Sequence, residues 1–131
     1  MTISEIAAKY IGVNYLWGGS DPMSGFDCSG LVLECLAGIG ITFPTDMNAQ
    51  ALYNHFKTKE VVIAEANDLV FYGASPHQIT HVAIAINADQ IIEAGGGGHK
   101  VIDLNAAKQR DAFVRVRPIH HRKDMQAIVK P

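Results

Sequence analysis

The chain has 131 residues, 48% of them hydrophobic and 18% charged, with a formal net charge of −2. That describes one ordered domain long enough to bury a real core, and it gives no electrostatic case for nucleic-acid binding. No run approaches the roughly 18 apolar residues that a membrane span requires.

Thr2 and Glu5 have capping-box spacing ahead of an apolar-periodic run, and Gly12 stands where a C′ glycine belongs, which predicts a first helix over 3–11. The opening Thr2-Ile3-Ser4-Glu5 is polar and no apolar stretch follows it, so the chain as written reads as lacking a signal peptide. It is then cytosolic, released by lysis or a dedicated machine, or trimmed of a leader. Residues 14–26, rich in Gly, Ser, Asp and Pro, read as a loop. Asp27 is a good N-cap for a second helix over 28–37, which runs into Gly38-Ile39-Gly40. Thr45 or Asp46 caps a third helix of about ten residues ending at Phe56.

The period then changes. Residues 68–72, 82–87, 90–94, 100–104 and 112–117 are short, rich in Val, Ile and Phe, and separated by turn residues, as strands are. Helices first and consecutive strands afterwards predict an α+β fold with an antiparallel sheet of about five strands. The glycine run at 95–98 lacks the context of a phosphate-binding loop. Residues 1–117 form the expected domain. Residues 118–131, with the basic run His120-His121-Arg122-Lys123, read as a solvated C-terminal tail.

Only two cysteines are present, Cys28 and Cys35, on one predicted helix. Seven residues at about 1.5 Å each separate their Cα atoms by roughly 10 Å, too far for a disulfide. Cys35, among Leu33, Leu36 and Ile39, reads as a small buried hydrophobe. Cys28 stands at a helix start, where free N–H groups and the positive end of the helix dipole favour a thiolate. No metal or cofactor is needed for that, and none is expected.

A thiolate nucleophile needs a base within reach, usually histidine. Among the six histidines, His120 and His121 fall in the tail, His55 ends a helix, His77 sits in a polar loop and His99 follows the glycine run. His81 differs because it opens the strand Val82-Ala83-Ile84-Ala85-Ile86. One face there carries Val82, Ile84 and Ile86. The other carries His81, Ala83 and Ala85, small enough for a helix to lie close and bring Cys28 to the imidazole. Residue chemistry alone leaves two readings, a catalytic base or a satisfied structural histidine.

Tyr15-Leu16-Trp17-Gly18-Gly19 and Gly25-Phe26-Asp27-Cys28-Ser29-Gly30-Leu31-Val32 resemble the signature of the NlpC/P60 family of cysteine peptidases. Asn67-Asp68-Leu69-Val70-Phe71-Tyr72 resembles its Gly-Asp-Leu-Val-Phe strand, and His81-Val82-Ala83-Ile84 its His-Val-Gly-Ile strand. Residues 44–50 and 112–117 resemble its following helix start and its closing strand, so the likeness covers roughly 4–117. It implies a papain-like α+β core acting on peptidoglycan stem peptides, often after D-Glu; a monomer is expected.

By that resemblance Cys28 is the nucleophile and His81 the general base and acid. The family's third polar residue, often histidine, corresponds to Glu93, twelve positions after His81. A carboxylate there would accept Nδ1–H and stabilise the imidazolium; otherwise Glu93 is a solvated sheet residue. Tyr15 matches a tyrosine that reaches the active site and would help bind an oxyanion, or else packs beside Trp17. Asp27 and Ser29 resemble contacts to the stem peptide's amino end, with helix capping as the plainer role, and Trp17 shapes the cleft wall. Two departures stand out: Asn67 replaces a glycine, and Thr45 replaces an arginine that often follows Pro44.

Register supplies a test. A three-residue loop over 87–89 pairs Ala83 with Glu93 and puts Glu93 on the histidine face, whereas a two-residue loop puts it on the wrong one. The longer loop is expected, with Asp89 in its usual left-handed final position. Two rival functions stand beside the peptidase: a related acyltransferase, and a catalytically idle structural module of a phage tail or secretion apparatus. No wall-binding module is evident, which suits wall-fragment recycling, a phage lysin or tail protein, or an injected effector, with phage the favoured setting.

Overall fold

The computed structural model describes residues 1–21, 25–95 and 112–131. Helix α1 (Ile3–Ala8) begins at the expected capping box, with Thr2 and Glu5 each satisfying the other's backbone N–H. It is shorter than anticipated, unwinding through turns to Gly12, whose φ is +94°. Strands β1 (Ser20–Asp21) and β2 (Gly25–Phe26) form a small antiparallel ribbon inside the segment read as a loop. Helix α2 (Cys28–Ala37) starts and stops where the sequence indicates, with Asp27 accepting from the Gly30 N–H. Helix α3 (Ala49–Phe56) is capped by Asn48 rather than Thr45 or Asp46, because the Asn48 side chain reaches the Ala51 N–H at 2.9 Å.

A 3-10 turn (Lys57–Lys59) leads into β3 (Glu60–Val61), followed by β4 (Leu69–Gly73), β5 (Ile79–Ala85), β6 (Gln90–Gly95), β7 (Phe113–Pro118) and β8 (Met125–Val129). Among the described residues these form one six-stranded antiparallel sheet in the order β3-β8-β4-β5-β6-β7. The strand expected at 100–104, most of the glycine run and His99 lie outside the described residues.

The 118–131 segment corrects the reading of a solvated tail. Its strand β8 sits between β3 and β4, with Ile128 and Val129 buried. Met-Gln-Ala-Ile-Val is a short run with two β-branched residues, and the sheet supplies a vacant ladder edge on β4 that such a run can fill.

Two cores flank the sheet. Leu31, Val32, Cys35 and Leu36 of α2 and Leu52 and Phe56 of α3 pack with Phe71, Val82, Ile84, Ile92 and Val129 on one side. Val70, Tyr72, Ala83, Ala85, Ile91, Ile119 and Ile128 make a smaller core on the other. The helices therefore cover the Val82 and Ile84 face of β5, not the small-residue face that the sequence suggested. Bulky residues are kept there because they fill the space between helix and sheet. Ala83 and Ala85 instead accommodate Tyr72 and Ile119.

Candidate active site

Three pieces of backbone bring the site together. The first is the start of α2. Asp27 Oδ1 accepts from the Gly30 N–H at 2.6 Å and from Ser29 Oγ at 3.3 Å, while Oδ2 accepts from the Gly18 N–H at 3.1 Å. The cap thus also ties down the Trp17-Gly18-Gly19 loop. The Asp27 N–H donates to the Gly19 carbonyl at 3.0 Å. A Cβ at Gly30 would overlap that same carbonyl oxygen. Glycine at position 30 is what lets the loop lie on the helix start and expose Cys28.

The second piece is the opening of β5. Tyr72 pairs with His81 but Gly73 pairs with Ile79, so Thr80 is an extra residue in the ladder. Such a bulge bends its strand and shifts which face successive side chains take. Ile79 accordingly joins the helix-side core together with Val82. At this bend the His81 imidazole meets the Cys28 side chain in a hydrogen bond, although α2 covers the opposite face further along.

The third piece is the β5–β6 hairpin. Ile84 faces Ile92 and Ala85 faces Ile91, and the Ile86 N–H donates to the Gln90 carbonyl at 2.9 Å. The loop is 87–89, three residues as expected. Continuing the register puts Ala83 opposite Glu93, on the histidine face. The turn does not place Asp89 in the left-handed region; Asn67, at φ +79°, is the one non-glycine residue there among those described. Asn87 Oδ1 closes the loop instead, accepting from the Asp89 N–H at 2.8 Å and the Gln90 N–H at 2.9 Å.

Glu93 is only 2% exposed and its Oε2 contacts His81 Nε2. This corrects the expectation that the carboxylate would take Nδ1. With Nε2 occupied, Nδ1 is the nitrogen left for the thiol. Burial pulls the His81 pKa down, but hydrogen bonds to Cys28 and Glu93 and the negative charge of both outweigh it, raising it to about 9. Burial pushes Glu93 the other way, and it too is overcome. The hydrogen bond and charge of His81, with His121 and Arg117 behind, hold the carboxyl below its ordinary value. Both shifts favour an imidazolium facing a carboxylate.

Around this pair lies a cleft of about 540 Å³ bordered by Tyr15, Trp17, Cys28, Asn48, His81 and Arg122, among others. The Tyr15 ring is buried in the core beside Cys28 and also borders the cleft. Burial, with the nearby charges of Cys28 and Asp27, drives its pKa up, so the phenol keeps a proton to donate. Trp17 is 55% exposed on the cleft rim. Ser29 and Asp27 are turned toward each other. Cys35 is wholly buried and its thiol is pushed up to about 12 by desolvation, as befits a core residue. Among the described residues, no group of three or more His, Cys, Asp and Glu is placed to hold a metal ion, and no helix is long and apolar enough to cross a membrane.

A model of the NlpC/P60 family matches residues 12–118. The chain belongs to the NlpC/P60 family. It is 39% identical over 117 residues to the bifunctional muramidase/DL-endopeptidase CwlT of Bacillus subtilis, a match covering 86% of this chain and 34% of that protein. It therefore spans about a third of that relative's length. The NlpC/P60 domain of the peptidoglycan hydrolase SagA superposes with a TM-score of 0.72 at 29% identity, covering 99% of this chain and 97% of that one. RipD of Mycobacterium tuberculosis, described as a non-catalytic NlpC/P60 protein adapted to peptidoglycan binding, gives the same TM-score of 0.72 at 23% identity, covering 98% and 93%. These neighbours establish the α+β papain-like core and leave activity to the site.

In this NlpC/P60 domain the sequence reading missed His121 and Arg122. His121 Nε2 lies 2.9 Å from Glu93 Oε1. Arg122 borders the cleft, pairs with Asp124 at 2.7 and 2.9 Å, and stacks on the Tyr72 ring at 5.4 Å. Their signal was the basic run itself, which only the pairing of β8 turns inward. His55 packs its ring on Phe43 and Phe56, a structural part, and His77 and His120 are exposed.

Proposed function

We propose that this domain is a cysteine peptidase that hydrolyses amide bonds in peptidoglycan stem peptides, at the D-Glu to diamino-acid link. The observation that carries the reading is the array itself: Cys28 at a helix start, hydrogen-bonded to an imidazole whose far nitrogen is held by a buried carboxylate. The family relationship narrows the substrate class, since CwlT is named a DL-endopeptidase.

The steps follow from the positions. The Cys28 thiolate adds to the scissile carbonyl carbon, forming a C–S bond and pushing the π electrons onto oxygen. That oxyanion is met by the Cys28 N–H at the start of α2 and by the Tyr15 hydroxyl. As the C=O re-forms, the C–N bond breaks and the His81 imidazolium gives its proton to the leaving amine. Neutral His81 then takes a proton from water, whose oxygen attacks the thioester. Collapse releases the carboxylate product and returns thiolate and imidazolium. Glu93 stays ionised throughout, orienting the ring and offsetting its charge. Trp17, Asp27 and Ser29 border the peptide-binding side of the cleft.

The test is cleavage of purified muropeptides followed by mass spectrometry, with Cys28→Ala as control. Cys28-dependent release of a product ending in D-Glu supports the proposal. Muropeptide binding without any Cys28-dependent product would instead place the chain with the non-catalytic members.

A further inference from the structure

Glu93 has two oxygens, and His81 uses one of them. A carboxylate buried to 2% exposure pays heavily for an oxygen without a donor. Arg117 Nε, at 3.8 Å from Oε1, is beyond hydrogen-bond range. His121 Nε2 fills the gap at 2.9 Å. The other ring nitrogen of His121, Nδ1, lies 3.1 Å from the Pro118 carbonyl oxygen. Both partners only accept, so each contact calls for a hydrogen on the ring nitrogen that makes it.

The turn that presents this ring is pinned from several directions. Tyr72 Oη donates to the Ile119 carbonyl at 2.7 Å, and the Ile119 N–H donates to the Asp89 carbonyl at 2.8 Å. The Gly73 N–H donates to the Asp124 carbonyl at 2.9 Å, and Gln126 Nε2 to the Gly73 carbonyl at 2.8 Å. The Tyr72 ring meets both imidazoles, 5.6 Å from His81 and 5.9 Å from His121. A segment this firmly fixed can hold a carboxylate to a set geometry.

We infer that His121 is a positioning residue of the active site: it grips the Glu93 oxygen that His81 leaves free, keeping the carboxylate ionised and aimed at the imidazole. The role rests on the peptidase reading of Cys28, His81 and Glu93. The other groups near Glu93 are Arg117 and the cross-strand Arg115 of β7, Tyr72 of β4 and Arg122, while Asp124 and Cys28 act on His81. Arg115 stacks on Phe113 at 4.4 Å. Of all these groups, His121 is the one whose ring nitrogen lies within hydrogen-bond distance of Oε1.

The test uses His121→Phe and His121→Gln in the full chain, with thermal melts to verify folding. One readout needs no turnover: the pH midpoint of the Glu93 side-chain carboxyl, followed by carbon NMR on glutamate-labelled protein. The other is kcat and KM for muropeptide cleavage against pH. In the Phe variant the midpoint rises by about one unit or more, and kcat falls about tenfold with KM little changed. The acid limb of the rate profile moves up with the midpoint, because Glu93 must be ionised to act. The Gln variant, which keeps an N–H donor but no charge, falls between Phe and wild type. An unmoved carboxyl midpoint in either folded variant overturns the inference. If wild type itself cleaves nothing, the peptidase reading fails, and the carboxyl titration still decides whether His121 governs Glu93.

Discussion

Glu93 and His81 stand on neighbouring strands with carboxylate Oε2 against imidazole Nε2, and Cys28 meets the same ring. The carboxylate charge favours the protonated ring, so removing it must make the ring easier to deprotonate. Glu93→Gln is expected to lower kcat by roughly tenfold to a hundredfold, the worth of a hydrogen bond to a charged group. The alkaline limb of the rate profile should move to lower pH, because the His81 proton is then lost earlier. Rate profiles of both proteins, with imidazole NMR titration, check the magnitude and the sign.

The same pair makes stability depend on pH. His81 has a folded pKa raised to about 9 from an ordinary value near 6.5. Its contribution is full below about 6.5 and is lost as pH rises through about 9. Glu93 is lowered on folding, so its contribution is present above its ordinary value and is lost as pH falls through the depressed one. Melting temperatures from pH 3 to 10 should show both slopes, and Glu93→Gln should flatten the alkaline one. A wild-type melt with no decline across that alkaline window would contradict the imidazolium–carboxylate assignment.

Loop length decides which face Glu93 takes. Ala88→Asn together with Asp89→Gly favours a two-residue turn that pairs Asn87 with Gln90, which moves the pairing of Ile84 from Ile92 to Glu93. The carboxylate then leaves the histidine face and the buried Ile91 and Ile92 exchange cores, which costs stability. The expected outcome is loss of the raised His81 titration together with a cooperative but less stable fold, read by NMR and thermal melting.

Gly30 is expected to tolerate no side chain. Gly30→Ala drives a Cβ into the Gly19 carbonyl oxygen, and that atom is backbone held by the Asp27 N–H. A cost of about 1–3 kcal/mol is expected from such overpacking, with a loss of kcat because the helix start carrying Cys28 must shift. Denaturant unfolding and muropeptide turnover report the two effects separately.

Tyr72 anchors the turn that carries His121 and Arg122. Tyr72→Phe leaves the buried Ile119 carbonyl without its 2.7 Å donor, an expected loss of about 1–3 kcal/mol. Faster amide exchange confined to residues 119–124 in the variant would show that the hydroxyl holds that turn.

The sequence by itself determined the helix that bears Cys28, because Asp27 as cap and the apolar run after it are local signals. It also determined the hairpin that aligns Glu93 with His81, since alternation and a three-residue loop fix the register. Three things only the tertiary structure decided. Which face of β5 the helices cover depended on volume: Val82 and Ile84 fill the helix–sheet space, and past the bulge at Thr80 Ile79 joins them on that side. Which ring nitrogen Glu93 holds depended on the direction of approach, which register alone does not set. The inward turn of His121 depended on β8 finding an open edge on β4 far away in sequence. A short strand pattern after a basic run carries no local sign of that pairing, because the partner ladder exists only once the sheet has formed.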